Sequence, residues 1–207
     1  LGPSAMFAPK GMTWSRALTA GDLERLTGDF VRAAELAVAA GFDALEIHVG
    51  HGYLLSQFLS PYNNRRDDEY GGSIANRTRF PRAVVRAVRA AVGSRAAVWI
   101  KLNMEDGFRG GLTLDDGLEA ARLFAADGCL DAIQLTGGHT TKTPMFLMRG
   151  TTPVRELVQI QSTWWKRRIM ALVLPRVMRS YRFEEAFFAP AARRFRAAVD
   201  LPLMLLG

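Results

Sequence analysis

Apolar positions along this chain follow two alternating rhythms. From about Thr19 to Ala40, Leu23, Leu26, Phe30, Ala33, Ala34, Ala37 and Val38 fall at helical spacing and Gly41 supplies a stop, which predicts an amphipathic helix. The stretch Phe42-Asp43-Ala44-Leu45-Glu46-Ile47-His48-Val49 that follows is mostly apolar and predicts a short strand buried on both faces. The pair then recurs. A helix from about Ile74 to Val92, closed by Gly93, precedes a strand from Ala97 to Leu102. Another helix, capped by Thr113 with Asp116 at the capping-box position and ended by Gly128, precedes a strand from Asp131 to Thr136. A last helix from Phe183 to Val199 leads to a strand from Leu201 to Leu206.

Helix and strand in alternation imply right-handed crossovers and a parallel sheet, either open and doubly wound or closed as a barrel. Loop placement favours the barrel. Segments after the strands are long and rich in Gly, polar and aromatic residues, while those before the strands are short, as on a barrel whose active face lies at the carboxyl ends of its strands. At 207 residues the whole chain, 1–207, reads as one α/β domain, a size that buries roughly 70% of the surface of the unfolded chain.

Composition changes this picture little. A single cysteine, Cys129, excludes an internal disulfide and a Cys-rich zinc site, which fits a reducing compartment. The start, Leu1 to Met6, has no charged segment followed by an apolar run, and no segment reaches the ~18 uncharged apolar residues of a membrane span. A soluble, cytoplasmic protein is expected. The net charge of +7 is concentrated: between Lys142 and Arg182 nine Lys/Arg face Glu156 alone. There the helix and strand pattern blurs, with Trp164-Trp165 before Lys166-Arg167-Arg168. Basic residues beside aromatics could serve a membrane surface or nucleic acid. The favoured reading of 142–182 is a basic excursion, a solvated cover packed on the barrel by its apolar residues, with a small molecule and neither nucleic acid nor membrane as partner.

The residues suited to chemistry cluster where the first strand ends, at Ile47-His48-Val49-Gly50-His51-Gly52-Tyr53. Alternation puts His48 on one strand face with Glu46 and Ala44. Two imidazoles three positions apart, the second between glycines, can converge on one oxygen atom, bind a metal if a third ligand is near, or serve only structure. Tyr53 adds a phenol able to donate a proton. Lys101 shares a strand face with Trp99 and Asn103. An inward lysine suggests an anionic ligand, a Schiff-base role or an internal ion pair, with Glu46 as the nearest candidate partner.

The run from Gly41 to His48, then His51-Gly52-Tyr53-Leu54-Leu55-Ser56-Gln57-Phe58-Leu59-Ser60-Pro61, Asn64-Arg65-Arg66, Asp68-Glu69-Tyr70-Gly71-Gly72-Ser73 and Asn76-Arg77 resembles the old yellow enzyme family of FMN-dependent NAD(P)H oxidoreductases. The match continues through Ile100-Lys101-Leu102-Asn103, Gly110-Gly111-Leu112-Thr113 and Thr136-Gly137-Gly138 to Gly207, and is weakest from Lys142 to Arg182. The resemblance implies a TIM (β/α)8 barrel that holds FMN at the carboxyl ends of its strands and passes hydride from NAD(P)H through flavin to an activated alkene. By it, His48 and His51 bind a substrate carbonyl oxygen, Tyr53 protonates the α-carbon, and Lys101 lies beside the flavin ring as a fixed cation in place of the arginine common in the family. Gly207 stands where the first phosphate-binding glycines would begin.

The same resemblance implies an incomplete barrel of about four βα units, without the three opening strands that supply flavin contacts. Exposed strand edges then predict association with another copy or with the remaining strands. The chain alone is expected to hold FMN weakly or not at all. Two further readings stay open: a Schiff-base lyase barrel using Lys101, and a non-catalytic truncated chain.

Overall fold

The computed structural model describes residues 1–8 and 13–205, and of residues 176 and 177 the backbone only. An antiparallel ribbon of β1 (Met6–Ala8) and β2 (Thr13–Ser15) comes first. The alternating part follows as α1 (Ala20–Ala39), β3 (Ala44–Val49), α2 (Leu54–Leu59), α3 (Ile74–Arg77), α4 (Arg79–Val92), β4 (Ala97–Asn103), α5 (Leu114–Ala126) and β5 (Ala132–Thr136). Then come α6 (Val154–Gln159), α7 (Trp164–Val177), α8 (Ala189–Ala198) and β6 (Leu203–Leu205). The ribbon, α2 and α6 are short elements that the apolar pattern does not announce.

β3, β4, β5 and β6 form one parallel sheet in that order. The order runs in one direction without the reversal that marks an open doubly wound sheet, so the strands form an arc of a barrel. Ile47 and Val49 of β3, Val98, Ile100 and Leu102 of β4, and Ile133 and Leu135 of β5 are buried. They belong to one core with Phe80, Val84, Val85 and Val88 of α4, Leu118, Ala121 and Phe124 of α5, and Phe195 of α8. The alternate residues, Glu46 and His48, Trp99 and Lys101, Gln134, and Met204, share the other face. Register fixes this second set into rows: His48 pairs with Lys101, Lys101 with Gln134, and Gln134 with Met204.

Three expectations need correction. The helix predicted from Ile74 to Val92 is two helices that meet at Thr78, because Pro81 has no N–H for the carbonyl of Arg77 and its ring crowds that carbonyl. By the same logic Pro190, in the first turn of α8, prevents the predicted 183–199 helix from starting before Ala189, and Ala186 turns the chain at φ 53°. The basic excursion packs on the core only near its ends, where Phe146 is buried and Leu147 and Tyr181 lie against it. α7 lies against α6, and Trp164, Ile169, Leu172 and Val173 are exposed. Leu206 and Gly207 lie outside the described residues.

Caps and one buried cation hold the long loop after β3. Thr19 and Asp22 form a reciprocal capping box on α1. At α5 the Thr113 hydroxyl accepts the Asp116 N–H, but the Asp116 carboxylate accepts from Arg77 at 3.0 Å instead of returning to the cap. Arg77 is buried and also donates to the carbonyls of Leu59 and Gly72, so one guanidinium ties the end of α2, the loop and α5.

Gly117, inside α5, packs directly on the backbone of Met104 past the end of β4. A Cβ there would fall well inside contact distance of the Met104 carbonyl oxygen. A Cβ at Gly28 in α1 would come no closer than 3.7 Å to a neighbouring side chain, that of Arg32. Gly28→Ala is expected to stabilise by about 0.5–1 kcal/mol through helix propensity. Gly117→Ala should destabilise by about 1–3 kcal/mol despite the same propensity gain. Urea unfolding of both variants checks the opposite signs.

Candidate active site

β3 ends at Val49, and the next residues turn sharply: His51 has φ 58° and Gly52 φ 76°. A left-handed non-glycine residue is uncommon and needs outside support. Here the support is explicit. The His51 N–H donates to Asn103 Oδ1 at 3.0 Å, the His51 carbonyl accepts the Thr140 N–H at 3.0 Å, and His51 Nε2 and the Thr136 hydroxyl are hydrogen-bonded at 2.8 Å. The Ser56 hydroxyl lies 2.8 Å from the Gly50 carbonyl and 3.0 Å from that of Tyr53, and the Gln57 amide donates to Gly52 at 2.8 Å. Tyr53 itself stands at the N-cap of α2 with its side chain exposed.

This turn gathers the residues singled out in the sequence. The ring centroids of His48 and His51 are 5.1 Å apart and those of His48 and Tyr53 5.2 Å apart. His48 Nδ1 is buried and has no hydrogen-bond partner among the described residues. Burial is the main cause that lowers the His48 pKa, with the Lys101 charge adding to it and Glu46 opposing. Burial, then His48 and Lys101, push His51 down to about 4. Both rings are therefore neutral near pH 7, with N–H groups to offer a ligand oxygen.

Lys101 lies one strand over from His48. Its Nζ is 2.8 Å from Glu46 Oε1, and Glu46 Oε2 accepts from the Trp99 indole at 3.0 Å. Burial alone would raise the Glu46 pKa, but the bonds from Lys101 and Trp99 outweigh it and hold the carboxyl below its usual value. The internal ion pair foreseen for Lys101 is thus present.

Sequence reasoning missed the residues that hold these groups in place. Asn103 is buried; its amide donates to Asp106 Oδ1 at 2.9 Å and to the Gly138 carbonyl at 2.7 Å, while its oxygen holds the His51 N–H. Asp106 in turn accepts from Ser60 at 2.6 Å and from the Leu112 N–H at 2.8 Å. The remaining histidine, His139, is buried against Gly52, bonded to Asn63 and Thr141, and flanked edge-on by Tyr62 and Phe108. Its role is to wall the turn. A polar pair at Asn103 and Asp106, three residues apart at a strand end, was the available signal.

A flavin ring fits this face in part. Lys101 is a cation in the same row as His48, it spends one bond on Glu46, and the orphaned His48 Nδ1 leaves a polar atom unsatisfied for a bound group. Lys101 would hold the ring, and His48 and His51 the ligand placed on it. Gly207, expected at the phosphate, lies outside the described residues.

The depressed His51 has a consequence for stability. The unfolded chain takes up a proton near pH 6.5 while the folded ring stays neutral to about 4, so this contribution is complete above 6.5 and is lost as the pH falls toward 4. An NMR titration should find the His51 Cε1 proton static from pH 8 to 5. Movement centred near 6.5 would contradict the buried geometry.

A sequence model of the NADH:flavin oxidoreductase / NADH oxidase family matches residues 2–135. The chain is 46% identical over 211 residues to a 4,4'-dithiodibutanoate disulfide reductase of Rhodococcus erythropolis, covering 100% of this chain and 51% of that protein. It is 44% identical over 148 residues to an NADPH dehydrogenase of Clostridium acetobutylicum, covering 72% of this chain and 43% of that protein. Among solved structures, an old yellow enzyme homologue from Zymomonas mobilis matches with a TM-score of 0.65 and 25% identity, over 99% of this chain and 49% of that one. The chain spans about half the length of the curated relatives it matches. With an arc of parallel barrel strands and a family match over most of its residues, the chain belongs to the NADH:flavin oxidoreductase / NADH oxidase family.

Proposed function

We propose that this chain supplies the acceptor-binding and proton-donating side of an FMN-dependent NAD(P)H oxidoreductase that reduces activated alkenes, α,β-unsaturated carbonyl compounds. The observation that carries the proposal is the close trio of His48, His51 and Tyr53, with both imidazoles neutral, at the carboxyl end of β3 beside Lys101. The family's cofactor is FMN and its electron donor NAD(P)H. Bound FMN, once reduced, supplies hydride.

The roles of the chain's own groups follow from their chemistry. His48 and His51 donate N–H groups to the carbonyl oxygen of the acceptor, and these bonds strengthen as negative charge builds on that oxygen. Because the rings are neutral, they bind the oxygen without drawing a counter-anion into the site. Tyr53, at the mouth and reachable from solvent, gives its phenolic proton to the carbon next to the carbonyl. Lys101 keeps a positive charge on the ring-facing row, moderated by Glu46.

A second reading differs only in the acceptor. The Rhodococcus relative is named for reduction of a disulfide, and it matches the whole of this chain. A disulfide needs two electrons and two protons to yield two thiols, and Tyr53 could supply one of those protons.

In the full-length protein, Tyr53→Phe should slow reoxidation of the reduced flavin by 2-cyclohexen-1-one by about 10²–10⁴-fold. Flavin reduction by NAD(P)H should be unchanged. Stopped-flow absorbance separates the two half-reactions; equal losses in both, or none in either, would contradict the role of Tyr53.

A further inference from the structure

Two adjoining cavities open on the carboxyl side of the sheet. One of about 170 Å³ is lined by His51, His139, Thr143, Leu147 and Met148 together with Gly137 and Gly138. The other, of about 340 Å³, shares Leu147 and Met148 as its wall and continues along Arg149, Phe183, Glu184, Phe187 and Phe188. Leu147 and Met148 stand between the two, and Met148 is exposed, so a ligand whose reacting atoms sit at His51 would cross this shared wall to reach Arg149.

Arg149 is placed with care. Gly150 and Tyr181 exchange two backbone hydrogen bonds of 2.8 and 2.9 Å, which fix the loop after β5 to the connection after α7. Arg149 itself takes the left-handed conformation, φ 53°. Its guanidinium carbon lies 3.5 Å from the ring centroid of Phe187 and 5.1 Å from that of Tyr181. The side chain is only 13% exposed.

The pairing of this charge is nevertheless incomplete. A buried guanidinium offers five N–H groups and is costly to desolvate unless they are met. Among the described residues Arg149 makes one ion pair, at the long distance of 3.4 Å, to Glu184, whose side chain is 63% exposed. Its Nε is buried with no partner among the described residues, and so is the hydroxyl of the neighbouring Tyr181. Apolar walls with one under-satisfied cation suit a ligand that ends in a carboxylate on an aliphatic stem. The charge of the surrounding segment points the same way, since the nine Lys/Arg from Lys142 to Arg182 face Glu156 alone and attract anions over a distance.

We propose that the cavity between Leu147 and Phe188 is a subsite for the carboxylate tail of the acceptor, with Arg149 as its anchor and Glu184 as the internal carboxylate that the ligand displaces. This rests on the preceding reading only in placing the reacting end of the ligand at His51. It adds a substrate class, acceptors that carry an aliphatic carboxylate several bonds from the reducible group.

The test is binding, which requires no turnover. Isothermal titration of the oxidised full-length protein is run with 4,4'-dithiodibutanoate, with its dimethyl ester, and with inorganic phosphate. The diacid should bind on the order of tenfold to a hundredfold more tightly than the ester. Phosphate, an anion without a stem, should not compete. Arg149→Gln should abolish the preference for acid over ester, and Glu184→Gln, a change at an exposed position, should tighten the diacid by roughly two- to fivefold. Equal binding of acid and ester, or displacement of the diacid by equimolar phosphate, would overturn the proposal. So would a wild-type preference retained in Arg149→Gln, or diacid binding that Glu184→Gln leaves unchanged or weakens. If the diacid binds as expected but oxidises no reduced flavin, the subsite stands and the disulfide reading of the acceptor fails.

Discussion

One buried amide holds the candidate site together. Asn103, the last residue of β4, accepts the N–H of His51 from the loop after β3, donates to Asp106 in its own loop, and donates to the Gly138 carbonyl in the loop after β5. Three successive strand ends are thus tied through a single side chain that water does not reach. Three of its four hydrogen-bonding positions, both N–H groups among them, are spent on these partners, and an apolar residue would remove all three bonds in a buried setting. The left-handed turn at His51, which the chain would not adopt unaided, exists because this amide and the Thr136 hydroxyl receive it.

From that constraint the electrostatics follow. With the turn fixed, His51 is brought beside His48 and away from solvent, so burial keeps both rings uncharged. The parallel register then puts Lys101 next to His48, and Glu46 one row below tempers its charge. Two neutral donors and a tempered cation on one face, with a phenol at the rim, suit a ligand that starts neutral and gains negative charge as it reacts. The loop after β5 extends the same surface toward Arg149, where the charge balance is left open.

Much of this was legible in the sequence, and the reasons are particular. The strands from Ala44 to Val49 and from Ala97 to Asn103 announce themselves by one apolar face, Leu45, Ile47 and Val49 and then Val98, Ile100 and Leu102, although the other face, expected to be buried too, carries Glu46, His48 and Lys101; Thr19 and Thr113 mark helix starts by their chemistry. The His48, His51 and Tyr53 cluster is local, within one strand end and its turn, so spacing alone could gather it. Asn103, Asp106, Thr136 and His139 could not be gathered that way, because they meet His51 only after three strands are aligned. The two misjudged helices share one cause: Pro81 and Pro190 lie among apolar residues at helical spacing, and periodicity is blind to a missing N–H. α7 misled for another reason, since apolar spacing marks a stripe without saying which surface, if any, covers it.

The proposed function makes this face part of a flavin site whose chemistry ends on an acceptor held by His48 and His51. The most direct measurement is the visible spectrum of the purified full-length protein through one anaerobic cycle. Bound FMN should be present, bleach on addition of NAD(P)H, and recover its absorbance when 2-cyclohexen-1-one or 4,4'-dithiodibutanoate is added, with recovery lost in a His48→Ala, His51→Ala double variant that still bleaches. A protein without flavin, or a double variant that recovers as fast as the parent, would contradict the account.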